Sequence, residues 1–203
     1  MLRFSGTALA AAIVVWGASA AVAADKVGET SALIASASQT APASPTAQLN
    51  LSDPIYRNAT LETKPDSALE VRFLDGSRLS MGAGSSAVVD QYVYAGPDAS
   101  GKGATGKQVI KYGKGLFRFI SGTIPKDQVQ IETPTVTIGI RGTVIRTAVE
   151  DNGGTTIGVD QGLAFITLRQ TGQSITLQPG TKITVGPGGT AGQVTPGTVD
   201  GCD

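Results

Sequence analysis

The feature that most constrains this chain is a two-residue alternation of apolar and polar side chains in short segments. In one of them Leu69, Val71 and Phe73 alternate with Glu70 and Arg72, which is the period of a strand with one buried face. No segment after residue 24 shows helical periodicity. Glycine supplies 27 of the 203 residues, about twice the usual share of roughly 7%, as tight turns between short strands require. The pattern predicts an all-β fold of stacked or rolled short strands.

Glycines mark the boundaries between these segments. Asp75-Gly76 separates two alternating runs, which predicts a hairpin whose two central residues both take positive φ. Gly142 and Gly162 each precede an apolar strand, and Gly180 precedes another, at intervals of 20 and 18 residues. This spacing suits stacked β coils or serial hairpins. A β-solenoid-like and a jelly-roll-like arrangement therefore both stay open.

The first residues have the form of a secretory leader. Arg3 supplies positive charge, residues 8–16 form a short apolar run, and residues 21–23 are a small-x-small cleavage signal. We expect a signal peptide over residues 1–23 that is removed on export to the periplasm. No later segment is long and apolar enough to span a bilayer, so we expect no integral membrane span after cleavage.

Composition divides the rest of the chain. Residues 30–48 are almost entirely Ala, Ser, Thr, Gln and Pro, which predicts a flexible linker over residues 24–48 because little apolar surface is available for burial. The β domain is expected over residues 49–195, followed by a tail over 196–203. The tail holds Cys202, which is read as a free thiol, with an intermolecular disulfide as the alternative.

The residue types that most often catalyse reactions are missing or scattered. The chain has no histidine, which removes Ser-His and Cys-His pairs and the usual zinc sites. The expectation is a chain without catalytic residues, metal or cofactor. A Ser/Lys or paired-carboxylate enzyme is the alternative, but the acids are read as solvated turn residues; they are Asp66, Asp75, Asp127, Asp151 and Asp160.

Two other features argue against nucleotides and nucleic acids. Residues 101–107, GKGATGK, match the glycine and lysine positions of a phosphate-binding loop, but Gln108 follows instead of Ser or Thr and a strand follows instead of a helix. Loss of the leader would remove Arg3 and no acid, leaving one more acidic than basic residue. A near-neutral chain without a basic cluster offers no footprint for nucleic acid.

Three motifs resemble the FecR domain, the periplasmic module of transmembrane regulators that relay iron-siderophore signals to a sigma factor. The matching stretches are 73–79 (FLDGSRL), 114–118 (KGLFR) and 133–143 (TPTVTIGIRGT). With Pro179-Gly180-Thr181 they extend the resemblance over about residues 53–185. The resemblance implies an all-β fold, no enzymatic activity and a protein partner. The family's regulators begin with a cytoplasmic helical segment that holds the sigma factor, whereas this chain begins with a leader, so direct sigma-factor control is not expected.

The leading hypothesis is an exported, non-catalytic protein-interaction or scaffold domain of the cell envelope. A sheet edge or the loop 95–107 would contact the partner, whose identity is not predicted. Arg141 is expected either to anchor a partner or to pair with an internal acid, Asp75 or Glu132. The candidate contact or structural residues are Asp75, Gly76, Thr133, Pro134, Arg141, Gly142 and Thr143.

The aromatic residues carry the alternative function. Tyr92 and Tyr94 share one strand face, and they would form the stacking surface of a small-ligand or glycan-binding module. The phenylalanines of the predicted strands are all placed on inward positions; they are Phe73, Phe117, Phe119 and Phe165.

Overall fold

The computed structural model describes residues 25–97 and 103–201. The predicted signal peptide, part of the loop 95–107 and Cys202 lie outside the described residues. Within them the chain forms fifteen strands of one sheet and a 3₁₀ turn at Lys126–Gln128, so the all-β class is confirmed. The strands are β1 (Lys26–Ile34), β2 (Ala37–Thr40), β3 (Ala47–Gln48), β4 (Pro54–Tyr56), β5 (Thr60–Thr63), β6 (Ala68–Phe73), β7 (Arg78–Met81), β8 (Ser86–Ala95), β9 (Thr105–Ile120), β10 (Val129–Glu132), β11 (Val136–Val149), β12 (Thr155–Leu168), β13 (Ser174–Leu177), β14 (Thr181–Val185) and β15 (Thr195–Pro196).

Three long strands, β9, β11 and β12, join two layers of this sheet. Each pairs with one set of neighbours along its first half and another set along its second half. The front layer has the order β3-β2-β5-β8-β9-β10-β11-β12-β13, using the first halves of β9 and β11 and the second half of β12. The back layer has the order β4-β1-β6-β7-β9-β11-β12-β14-β15, using the other halves.

A single hydrophobic core contains buried side chains from both layers. Phe117 and Phe119 are 0% exposed, as predicted, and the ring of Phe117 stacks on Tyr112 with centroids 3.9 Å apart. Full burial of a phenylalanine contributes about 1.5–3 kcal/mol, whereas an exposed ion pair contributes about 0–1 kcal/mol. Since most ion pairs here have an exposed partner, the core rather than the charges holds the layers together.

Gly142 and Gly162 lie inside β11 and β12, not at strand starts as predicted. Their φ angles are +61° and +77°, values that favour glycine. A Cβ atom on Gly162 would overlap the carbonyl oxygens of Gly142 and Arg141, so the two bends are packed against each other across the hairpin. The regular glycine spacing thus reflects matched bends in a rolled sheet. Its pairings are antiparallel except for β9 with β10 among the described strands.

The Asp75-Gly76 hairpin is confirmed, but its turn differs from the predicted one. Residues 74–77 form a four-residue loop between β6 and β7, closed by the Phe73 N–H, which donates to Ser77 O at 2.9 Å. Gly76 takes a φ of +82°, and Asp75 is not among the residues of positive φ. Gly76 is therefore the one residue of this turn with a left-handed backbone conformation.

The prediction of a flexible linker over residues 24–48 is wrong. Strand β1 is an interior strand of the back layer, paired with β4 on one side and β6 on the other. Val27 and Thr30 are each 1% exposed, and Gly28 lies so close to the backbone of Arg72 that a Cβ would not fit. The strand is held by backbone hydrogen bonds to β4 and β6, which do not depend on the type of side chain. Small residues therefore suit this position, where the neighbouring backbone lies close.

Candidate functional site

Asp75 lies at the centre of a buried hydrogen-bond cluster that joins the two layers. It is 2% exposed, and its Oδ1 accepts from Ser77 Oγ at 2.6 Å, Ser77 N at 3.2 Å and Tyr92 Oη at 3.2 Å. Its own N–H donates to Tyr92 Oη at 2.8 Å. The neighbouring Gly122 is packed so closely that a Cβ there would meet Asp75 and Ser77. Asp75 is therefore a structural residue and not the solvated turn carboxylate expected.

Tyr92 is not available as a stacking surface. It is 6% exposed, its ring stacks on Phe73 at a centroid distance of 5.6 Å, and it faces Asp75. Burial, and then the charge of Asp75, raise the pKa of the Tyr92 hydroxyl well above its usual range. Tyr94 is partly buried and its hydroxyl bonds Thr123 Oγ1 at 3.1 Å. The pair therefore does not form the exposed platform that a glycan site needs.

Thr133 and Pro134 belong to a second buried cluster, at the turn into β11. Thr133 Oγ1 accepts from Val136 N at 3.1 Å and from Thr155 Oγ1 at 3.1 Å. Thr135 Oγ1 donates to Thr155 Oγ1 at 3.0 Å, so three hydroxyl groups are linked. Pro134 is exposed above this cluster. The Thr-Pro motif therefore terminates and orients a strand.

Thr143 anchors the bend of β11. Its N–H donates to Ser121 Oγ and its Oγ1 to Leu163 O, each at 3.0 Å. Thr143 O accepts from Ser121 N at 3.1 Å. The side chain of Lys126 lies over the adjacent Gly142, where a Cβ would meet it. Gly142 and Thr143 thus form the bend itself and expose no reactive group.

Arg141 differs from Asp75, the other charged residue among the predicted ones, because its side chain is exposed on the outward side of the front layer. Its guanidinium carbon lies 5.5 Å from the ring centroid of Phe165. Among the described residues Arg141 does not pair with either expected acid. Asp75 bonds Ser77 and Tyr92 instead, and Glu132 Oε2 lies 3.7 Å from Arg169 Nη1. Phe165 is 36% exposed, so its predicted inward position is wrong.

Two charged residues of the 3₁₀ turn lie on the same side. Lys126 is exposed and rests over Gly142, and Asp127 is exposed next to it. The pKa of the Asp127 carboxyl is lowered, first by the hydrogen bond that Gln128 Nε2 donates at 2.9 Å, with the charge of Arg141 contributing. We call Lys126, Asp127, Arg141 and Phe165 the front patch. It combines two cations, one carboxylate and an aromatic ring, which is the chemistry of peptide recognition.

A second feature, on the back layer, was missed by sequence reasoning. Arg146 and Asp160 form an ion pair of 2.9 Å between β11 and β12, which places Asp160 inside a strand and not at the predicted turn. Counting residues outward from the Asn152-Gly153-Gly154 turn would have brought these two opposite charges close together. The segment after β15 covers this ion pair, which no motif in the sequence indicates. Val199 is 7% exposed, and Thr198 Oγ1 donates to Asp160 Oδ1 at 2.9 Å.

The described residues hold no group of His, Cys, Asp or Glu side chains arranged to bind a metal ion. In the same part of the chain, no helix has the length and apolar character needed to cross a membrane. The strand predicted to follow the GKGATGK motif is present as β9, which begins earlier than predicted, at Thr105 within the motif. Together with the buried clusters above, this leaves Arg141, in the front patch, as the exposed charged residue of the predicted site.

Comparisons with known proteins agree with the all-β fold. The family described as FecR protein matches residues 59–164, just over half of the chain. No curated protein matches. Two crystal structures of a protein from Parabacteroides distasonis ATCC 8503, assigned as an anti-sigma factor and determined at 1.65 and 2.50 Å, each superpose with a TM-score of 0.51 at 13% sequence identity. The match covers 68% of this chain and 60% of that protein, so the chain spans less than two thirds of the relative's length.

Proposed function

Because the chain belongs to the FecR family, we propose that it is an exported, non-catalytic protein-interaction module of the cell envelope whose partner contacts the front patch. The observation that carries this proposal is the exposure of Arg141 within the family-matched segment 59–164. The neighbouring motif residues are engaged in hydrogen bonds that hold the fold, whereas Arg141 is spread over Phe165 and open to a second molecule.

The chemistry of the patch supports a protein as partner. Arginine and aromatic side chains supply a large share of the binding free energy in protein interfaces. The ring of Phe165 holds the guanidinium of Arg141 in a defined position, which lowers the entropy lost when its planar donors meet a carboxylate or backbone carbonyl. Arg141 and Phe165 lie on the paired strands β11 and β12 rather than on a loop, so little reorganisation of these two residues is needed on binding.

A regulatory role is the second element of the proposal. The solved relatives are assigned as anti-sigma factors, and on that likeness we propose that the module acts as the sensing part of a signalling assembly. The resemblance to periplasmic FecR domains supports an envelope location with the leader removed. The glycan-binding alternative is not favoured, since Tyr92 is buried against Phe73 and Asp75.

Site-specific photocrosslinking in the cells that produce the protein tests the patch. A photoreactive phenylalanine at position 165 should form a crosslinked species that the same group at Leu74 does not form. Leu74 is the matched control because it is exposed and apolar and lies beside Lys26 and Arg72 of the back layer. Arg141→Ala should weaken the crosslink at 165 while leaving the amount of protein in the envelope fraction unchanged.

Three results would contradict the proposal. The first is crosslinking at position 74 as strong as at 165. The second is the same crosslink with Arg141→Ala as with the wild type. The third is a protein that stays in the cytoplasm with residues 1–23 intact, which N-terminal sequencing of the fractionated protein would show.

A further inference from the structure

The front layer ends at β13, and the far side of this strand is open. β13 pairs with residues 164–167 of β12, and no strand among the described residues pairs with its other side. Of the other strands that end the two layers in this part of the chain, β3 and β15 have two residues each, and β4 has three and begins with Pro54. β13 has four residues and contains neither proline nor charge, the features that commonly protect an edge. It is therefore the end strand best suited to accept another strand.

The hydrogen bonds of this ladder show which backbone groups face the open edge. The Leu168 N–H donates to Gln173 O at 2.9 Å, and in an antiparallel ladder hydrogen-bonded pairs alternate with pairs that are not hydrogen-bonded. Ile175 therefore turns its N–H and C=O towards β12. Ser174 and Thr176 turn theirs towards the open edge, and both residues are exposed. These backbone groups have the spacing that one more antiparallel strand requires.

The side chains of β13 connect this edge to the front patch. Thr176 lies directly opposite Phe165, so both side chains are on the outward side of the layer. Arg141 lies over the ring of Phe165 on that side. Ile175 faces the opposite way and packs, partly buried, against the core. An added strand would therefore place alternate side chains beside the front patch and beside Ile175.

We propose that the partner binds as an extended strand added to β13, with acidic side chains on the outward side and apolar side chains on the inward side. This inference rests on the proposed function and specifies how the partner binds and what its chemistry is. The front patch has two cations, Lys126 and Arg141, and one carboxylate, Asp127, so its charge favours acidic residues. An apolar residue on the inward side covers Ile175 and extends the core. Main-chain hydrogen bonds hold such a strand, and alternate side chains select its sequence.

The spacing of the strands allows an acidic residue opposite Thr176 to meet Arg141. Neighbouring strands are about 4.8 Å apart, so the added strand lies about 10 Å from β12. A glutamate and an arginine that extend towards each other cover this distance together. The short side chain of Thr176 lies between them and leaves the path open. A carboxylate bound to a guanidinium forms the stronger, charge-assisted type of hydrogen bond.

Amide hydrogen exchange followed by NMR tests the inference at single residues. The probe is a synthetic peptide of alternating valine and glutamate, and its control has lysine in place of glutamate. In the free protein we expect Ser174 and Thr176 to exchange fast and Ile175 slowly, because only Ile175 is bonded to β12. The valine–glutamate peptide should slow exchange at Ser174 and Thr176 about tenfold or more, and the valine–lysine peptide should not.

Two substitutions of Thr176 test the backbone contact. Thr176→Pro removes the N–H that faces the open edge and leaves the bonds to β12 in place, and proline is tolerated at such edge positions. It should weaken binding of the valine–glutamate peptide about tenfold. Thr176→Val keeps the N–H and a branched side chain and should bind as the wild type does. Circular dichroism checks that both variants are folded, and the exchange pattern of the wild type decides the outcome if Thr176→Pro is not.

The outcomes separate this inference from the proposed function. Equal protection by the two peptides, or no protection at Ser174 and Thr176, would overturn strand addition. So would protection of these amides in the free protein at raised concentration, which would assign the edge to a second copy of this chain. In cells, a crosslink at position 165 as strong with Thr176→Pro as with the wild type would exclude strand addition and leave the front patch in place. Protection by the valine–glutamate peptide without any crosslink at position 165 would support strand addition and contradict the proposed function alone.

Discussion

The outward sides of the two layers differ in what lies over them. On the front layer Arg141 and Phe165 are exposed, whereas on the back layer the tail covers the ion pair of Arg146 and Asp160 and buries Val199. The same strands, β11 and β12, supply both surfaces, because they bend and exchange neighbours halfway along. Exposure on this sheet is thus decided by the segments that follow the strands and not by the strands alone.

The largest expected effect comes from removing the bend that separates the two surfaces. Gly162→Ala places a Cβ against the backbone oxygens of Arg141 and Gly142 at a positive φ. Left-handed strain and overpacking together should lower the free energy of unfolding by about 2–5 kcal/mol. Urea unfolding followed by circular dichroism measures this loss.

Gly172→Ala is the matched control for that substitution. Gly172 has a similar φ of +73°, but no atom lies within 4 Å of the Cβ it lacks. It should cost only the conformational strain, about 1–2 kcal/mol. Equal losses for the two variants would show that the packing of one bend on the other contributes nothing.

The next effect concerns the buried link between the layers. Tyr92→Phe removes the acceptor of the Asp75 N–H and should cost about 1–3 kcal/mol at neutral pH. The folded state raises the pKa of Tyr92, so the stability contributed by its neutral hydroxyl is complete below the unfolded pKa of about 10. It is lost as pH rises through the higher folded value.

Ionisation of Tyr92 should therefore lower the free energy of unfolding of the wild type above about pH 10. Tyr92→Phe has no hydroxyl at this position, so its free energy of unfolding should fall less over the same pH range. Urea midpoints at pH 8 and in alkaline buffer measure the difference. Tyr56→Phe, on the half-buried strand β4, serves as the control and should keep the wild-type decline. A decline in Tyr92→Phe as steep as in the wild type would count against the link.

The smallest effect separates the covered from the open surface. Val199→Thr should cost about 1 kcal/mol, because a hydroxyl replaces a methyl group in a buried contact. Arg141→Thr should change stability by less than about 0.5 kcal/mol, as exposed substitutions do. Thermal unfolding of both variants beside the wild type provides the test. If Arg141→Thr lowered the free energy of unfolding as much as Val199→Thr, Arg141 would have a structural role. The front layer would then not differ from the covered back layer.

Local pattern was sufficient for the strands whose neighbours follow directly in sequence. The alternation from Leu69 to Phe73 and the placement of Phe117 and Phe119 were correct, because each segment has one clearly apolar face. Phe165 failed because Ala164 and Ile166 on the opposite side are also apolar. In such a strand the pairing with the neighbouring strands β11 and β13 decides which face is buried, and the alternation of residue types alone does not reveal that pairing.

The candidate site was recognised as motifs but not as geometry. Asp75 is a turn residue by its position, yet its burial depends on Tyr92 and on Ile124, whose N–H lies 3.5 Å from its Oδ2 and 49 residues away in sequence. The prediction of a linker over residues 24–48 was wrong for a related reason. Small polar residues form an ordered strand when neighbouring strands bind their backbone, as β4 and β6 bind β1. Both errors come from contacts between residues distant in the chain.

The interior position of β1 has a consequence for how the protein can be made or cut. During synthesis β1 emerges before β4 and β6, so its hydrogen-bonding groups stay without their partners until residue 73 has followed. A fragment limited to residues 59–164 would lack β1 and leave one side of β6 bare. Such an unprotected strand is a template for self-association, so a soluble, monomeric fragment must begin upstream of Lys26.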